Sequence, residues 1–163
     1  MSRHILFCMG LILAIPTAQA ADSAKAELRS ADGKAIGSVT LGDTAKGVLL
    51  TLALKGAPAG VHAFHVHEVG KCEPPFKSAG AHFNPDKKKH GFVAEGPHAG
   101  DMPNLHIPQS GDLEQEVLNA NLSFDGLFDA DGAAVILHAG ADDYKSDPAG
   151  NAGDRIACGV ITK

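Results

Sequence analysis

Between residues 24 and 67 apolar and polar side chains alternate in short runs, each closed by Gly, Pro or Asp. The runs "AKAELRS", "AIGSVTL", "VLLTLAL" and "VHAFHVH" are separated by "ADGK", "GDTAKG" and "KGAPAG". Alternation with a period of two predicts strands with one buried face. Strand candidates resume at "EVLNANLSF", "AAVILH" and "RIACGVIT". Asp32-Gly33 and Asp131-Gly132 have the composition of tight hairpin turns. Nowhere does the 3.6-residue period of a long amphipathic helix appear, so the chain is expected to be all-β, a sandwich or barrel. Aromatic residues make up 5% of the chain, which leaves Val, Leu and Ile to fill its core.

Two segments break the rhythm: residues 68–111, rich in Gly and Pro, and residues 139–154, "AGADDYKSDPAGNAGD". Loops of this length in a compact domain usually carry function. At the other extreme, Ile5 to Ile15 form an apolar run after Arg3 and His4, followed by Ala18-Gln19-Ala20. That is the layout of an export signal, too short for a stable membrane span. Residues 1–20 are therefore expected to be a signal peptide cleaved after Ala20, and residues 21–163 a single exported domain. Of 14 Lys and Arg only Arg3 falls in the leader, so the mature charge against 19 Asp and Glu is −6. That balance argues against nucleic acid or an anionic membrane as a partner. Cys72 and Cys158 remain, and an even count in an exported chain makes a disulfide the default, ahead of free thiols or thiolate ligands.

Eight of the nine histidines belong to the mature chain. In "VHAFHVH", His65 and His67 share one strand face while Phe64 and Val66 share the other with His62. The long loop adds His82, His90, His98 and Asp101, three imidazoles and a carboxylate, a normal set for tetrahedral zinc. Gly91, Gly96 and Gly100 flank them, where bends are needed. Lys87, Lys88 and Lys89 read as a solvated charge run. His65, His67 and His138 form a group without carboxylate or thiolate, and all-imidazole sites suit Cu(II). His62 is expected to be structural and His106 to lie on the surface.

"FHVH", "AGAHFNP", "KHG", "HAGD", "HAGADD" and "GNAGDRIACGVI" occur in the order and spacing of the copper/zinc superoxide dismutases, and the chain resembles the bacterial periplasmic branch of that family. The resemblance spans essentially the whole mature chain. It implies a Greek-key β-barrel or sandwich of the immunoglobulin-like kind with two long functional loops. It implies one copper per subunit, held by His65, His67, His82 and His138, and one zinc per subunit, held by His82, His90, His98 and Asp101, with His82 bridging them. Asp142 would link a copper histidine to a zinc histidine, Arg155 would attract superoxide, and Cys72 and Cys158 would form the family's disulfide. His82 and Arg155 would be the catalytic residues. Lys145 is the obvious extra cation expected near the channel.

The pattern departs from the family at Ala63, where Gly is usual; its methyl is expected on an outward face. The stretch from Cys72 to His82 is shorter than in many bacterial members, so the resemblance leaves monomer or homodimer open, and likewise a copper-delivery partner. Two other readings compete. A non-catalytic periplasmic protein could store copper and zinc on the same fold. A zinc hydrolase is disfavoured because no paired general base accompanies the ligands.

Overall fold

A computed structural model describes residues 22–163; the expected signal peptide lies outside the described residues. Nine strands carry the fold: β1 (Ser23–Ser30), β2 (Ala35–Thr44), β3 (Gly47–Leu54), β4 (Gly60–His62), β5 (Phe64–His67), β6 (Leu105–Ile107), β7 (Leu113–Asn119), β8 (Ala134–His138) and β9 (Arg155–Val160). Seven of them form one antiparallel sheet in the order β5-β8-β9-β1-β2-β3-β7, and β4 pairs with β6. Short 3-10 helices occupy Lys77–Ala79 and Asp125–Phe128.

Alternation becomes burial directly. Ala24, Ala26 and Leu28 of β1 and Val48, Leu50, Leu52 and Leu54 of β3 point inward, their neighbours outward. A register shift beside Leu28 leaves Ile36 of β2 unpaired and lets it turn inward as well. The core joins these residues to Phe64, Val66, Val135 and Leu137, and each buried aliphatic side chain contributes about 1.5–3 kcal/mol of transfer free energy.

Strands β5 and β8 are buried on both faces. Their second face carries His65, His67 and His138 together with Ala134 and Ile136, and the long loop covers it. Residues of that loop pair with the free edge of β5: Phe83 N–H donates to Val66 O at 2.9 Å, and Val66 N–H donates to Gly100 O at 3.0 Å. Isolated bridges place His82 beside His67 and Asp101 beside His65. The open sheet edge thus templates the loop. Next to β5 in the same sheet, a register shift between β8 and β9 sets Arg155 across from His138.

Three expectations need correction. Asp131-Gly132 makes no hairpin: β7 pairs with β3, β8 pairs with β5 and β9, and the dipeptide merely turns the chain from the Asp125–Phe128 helix into β8. "VHAFHVH" is two strands rather than one, interrupted at Ala63. The Ala63 side chain is fully buried, not outward, because its backbone is held on both sides. Ala63 N–H donates to Gly140 O at 2.8 Å, and Ala63 O accepts from His138 N–H at 2.9 Å.

Cys72 and Cys158 form a disulfide across 86 positions, with Cα atoms 5.7 Å apart. Beneath it Phe76, Ala79, Ala134, Ile136 and Cys158 make a second small core. In the chain-entropy view, a loop of this length stabilises the fold by about 4–5 kcal/mol. We expect Cys158→Ala to lower the melting temperature by roughly 10 °C or more in calorimetry; a change of a degree or two would show that the crosslink carries little of the stability.

Candidate metal centre

Two groups of buried ligand-type side chains meet above β5 and β8: His65, His67, His82 and His138, and His82, His90, His98 and Asp101. Within each group the potential ligand atoms lie within 4.8 Å of one another, and His82 belongs to both. The structure therefore brings together all seven side chains that the sequence singled out for metal.

In the first group, His65, His67 and His138 each have one ring nitrogen tied and the other left free, and His82 turns one nitrogen to each group. His65 Nε2–H donates to Asp142 Oδ2 at 2.8 Å, leaving Nδ1. His67 Nδ1–H donates to Gly80 O at 3.1 Å and His138 Nδ1–H to Gly153 O at 3.3 Å, leaving Nε2 of each. His82 directs Nδ1 toward Asp101 and leaves Nε2. These four remaining nitrogens are buried and have no protein partner. Orphaned buried polar atoms are costly, and four of them converging is the arrangement a cation would satisfy. The donor set is nitrogen only and uncharged, which suits copper.

The second group has a different chemistry. Asp101 Oδ1 lies 2.8 Å from His82 Nδ1, 3.1 Å from His90 Nδ1 and 3.3 Å from His98 Nδ1. Bonds of about 2.0 Å in a tetrahedron give edges of about 3.3 Å, so three nitrogens and one oxygen at these separations fit zinc. The carboxylate is held in place through its other oxygen, which accepts from Gly91 N–H at 2.9 Å and His98 N–H at 3.0 Å.

Asp142 joins the groups. Its Oδ2 accepts from His65, and its Oδ1 accepts from His90 Nε2–H at 3.0 Å. Any side chain at Gly150, whose φ is +63°, would collide with Asp142 Oδ1. Gly96 and Gly100, expected at bends, are instead close-approach positions: a Cβ would strike Gly91 O at the first and Val66 O at the second.

Burial pushes His65 down to about 4, His67 to about 2 and His138 to about 3. Neighbouring histidines add to the effect, and Asp142 only partly opposes it at His65. These rings are neutral at pH 7, the form that binds a metal. Burial also disfavours charged His90, but its bonds to Asp101 and Asp142 prevail and raise it to about 9. Burial would raise both carboxyls; the histidines and amide N–H groups around them instead hold Asp101 and Asp142 well below the usual carboxylate range.

Arg155 is half-buried beside this centre. Its Nη1 donates to Phe76 O and its Nη2 to Gly80 O, both at 2.7 Å. Burial lowers its pKa from the ordinary arginine value, yet a guanidinium stays charged. A depression of about 1020 Å³ next to it is lined by Lys77 as well as Asp32 and Asp154. Lys145, the extra cation expected near the channel, is exposed. His62 stands outside both groups and donates from Nδ1 to His138 O at 2.9 Å. His106 is exposed.

Sequence reasoning missed Asn104. Its Oδ1 accepts from Asp142 N–H at 2.8 Å and its Nδ2–H donates to Asp142 O at 2.9 Å. No spacing rule marks an asparagine that works by clamping another residue's backbone.

Residues 35–161 match the family model described as copper/zinc superoxide dismutase (SODC). A protein of Aquifex aeolicus named superoxide dismutase [Cu-Zn] 2 is 52% identical over 146 residues, covering 85% of each chain. Among solved structures, a SOD-like protein from Bacillus subtilis superposes with a TM-score of 0.78 at 34% identity, covering 85% of this chain and 97% of that one. The Cu/Zn superoxide dismutase of Brucella abortus gives 0.74 at 28% identity, covering 86% and 100%.

For the metal-free protein the titrations oppose each other. His65, His67 and His138 take up protons more readily unfolded, at an ordinary value of 6.5, so stability is lost as pH falls from about 6.5 toward their folded values of about 4, 2 and 3. His90 holds its proton better folded, so its contribution is complete below about 6.5 and is lost as pH rises toward about 9. We expect the melting temperature of the metal-free chain to peak near pH 6.5; a steady rise from pH 7 to 9 would contradict this balance.

Proposed function

The chain belongs to the copper/zinc superoxide dismutase family, and we propose on that premise how its own residues perform the dismutation. Two superoxide anions and two protons become one dioxygen and one hydrogen peroxide. Copper supplies the one-electron couple when bound, and zinc, which has no accessible redox step, supplies fixed charge. The single observation that carries the reading is the pair of His82 nitrogens, one aimed at each ligand group.

Nδ1 of His65 and Nε2 of His67, His82 and His138 are the atoms that would hold copper. Nδ1 of His82, His90 and His98 and Oδ1 of Asp101 would hold zinc. Nε2 of His82 is buried and unpartnered, so it can keep a proton in one half of the cycle and deliver it to the peroxide in the other. Asp142 fixes the rings of His65 and His90 in one orientation, as outer carboxylates do.

The substrate is an anion and the mature chain is negative, so attraction has to be local. Arg155 supplies it: both donating arms are fixed by carbonyls, which aims the remaining charge instead of letting the side chain swing.

We read the protein as exported to the periplasm after cleavage following Ala20. The leader pattern supports this, and among the described residues no helix is long and apolar enough to cross a membrane. The mature protein should begin at Ala21 on N-terminal sequencing.

Metal content and superoxide disappearance, measured on the reconstituted mature protein, test the whole reading. One copper and one zinc with rapid turnover is the expected result. Both metals without turnover would leave the storage reading in its place. Arg155→Ala should lower kcat/KM at least about ten-fold and flatten its decline with ionic strength; unchanged kinetics at low salt would remove Arg155 from the mechanism.

A further inference from the structure

Tyr144 sits in the second loop with φ +61°, a left-handed conformation that costs a non-glycine residue backbone energy. Four contacts hold it there, to three residues around the metal centre: Asp142, Phe92 and Asn104. Its N–H donates to Asp142 Oδ1 at 2.6 Å, the same oxygen that accepts from His90. Its carbonyl accepts from Phe92 N–H at 2.9 Å, two residues beyond His90. Its hydroxyl accepts from Asn104 N–H at 2.7 Å, three residues beyond Asp101, and Asn104 in turn clamps the Asp142 backbone. Its ring stacks on Phe92, with centroids 5.0 Å apart and planes at 24°. Gly91 is shaped to the same contact, since a Cβ there would collide with the Tyr144 carbonyl.

From this geometry we propose that Tyr144 is a positioning residue: a latch that locks the second loop onto the zinc-ligand loop and thereby sets the Asp142 carboxylate between His65 and His90. The argument rests on the assignment of the two ligand groups to zinc and copper. Tyr144 touches no potential ligand atom of either group. It acts by fixing the segments that carry His90 and Asp101 and the carboxylate that orients His65 and His90. Without the hydroxyl, the Asn104 N–H loses its acceptor, the Asn104 clamp loosens, and Asp142 gains freedom to tilt. Zinc retention and the copper environment should then change together, although the altered atom belongs to neither ligand set.

The test is Tyr144→Phe in the protein loaded with both metals, beside Thr44→Val. The latter removes a hydroxyl that donates to Gly47 O in the β2–β3 hairpin, outside both loops. Two readouts apply: the rate of zinc transfer to a chromophoric chelator, and the visible band of bound Cu(II). Tyr144→Phe should lose zinc about ten-fold faster and shift the copper band, whereas Thr44→Val should do neither. Phe92→Ala removes only the exposed stacking partner, so it spares the core, and it should speed zinc loss about three-fold. Unaltered zinc release and an unmoved copper band in both Tyr144→Phe and Phe92→Ala would overturn the latch. Equal effects from Thr44→Val would overturn it too, as general loosening. Failure of the unaltered protein to take up zinc would overturn the ligand assignment itself, a different result from either.

Discussion

Desolvation governs this molecule. Six imidazoles and a carboxylate are withdrawn from water into one region, and an interior polar atom without a partner is expensive. The fold meets the cost in halves. In His65, His67, His90 and His138 one ring nitrogen is tied to a carbonyl or carboxylate of the protein and the other is left to a cation, while His82 offers one nitrogen to each group. The tied half decides everything downstream: which tautomer each ring adopts, where the free lone pair points, and hence which ion the cluster suits. Gly80, Gly153 and Asp142 are thus as necessary to the centre as the ligands, although two of them contribute only a carbonyl.

The scaffold supplies those ties through ordinary sheet geometry. Strand pairing of β5 with β8 puts His65, His67 and His138 on one face. The exposed edge of β5 then captures two stretches of the long loop by backbone bonds. An unpaired strand edge is usually a liability; here it is the jig on which the second group is assembled. The disulfide and the small core under it hold the remaining part of the same loop, which presents the Phe76 and Gly80 carbonyls to Arg155.

Much of this was legible from residue order. Strands β1 and β3 follow from alternation, because their buried faces must be apolar every second position, and β8, buried throughout, follows from a short continuous apolar run. The ligand residues follow from type and spacing together. Strand β6 was not legible: three residues inside a Pro-flanked loop pair only with β4 and carry too short a pattern. Asn104 and Tyr144 were missed for a different reason. Both act through backbone groups, and neither a left-handed tyrosine nor an asparagine clamp leaves a periodic trace. The burial of Ala63 follows from paired bonds to residues far away in sequence, and no local reading reveals those.

The carbonyl of Gly80 accepts from both the Arg155 guanidinium and the His67 ring. The guanidinium and the imidazole consequently share one anchor point. An engineer who wanted a faster-binding protein by relocating the guanidinium would also rotate an imidazole, and one who retuned the imidazole would slacken the guanidinium. The two properties cannot be redesigned one at a time, and useful variants at this spot should come as compensated pairs.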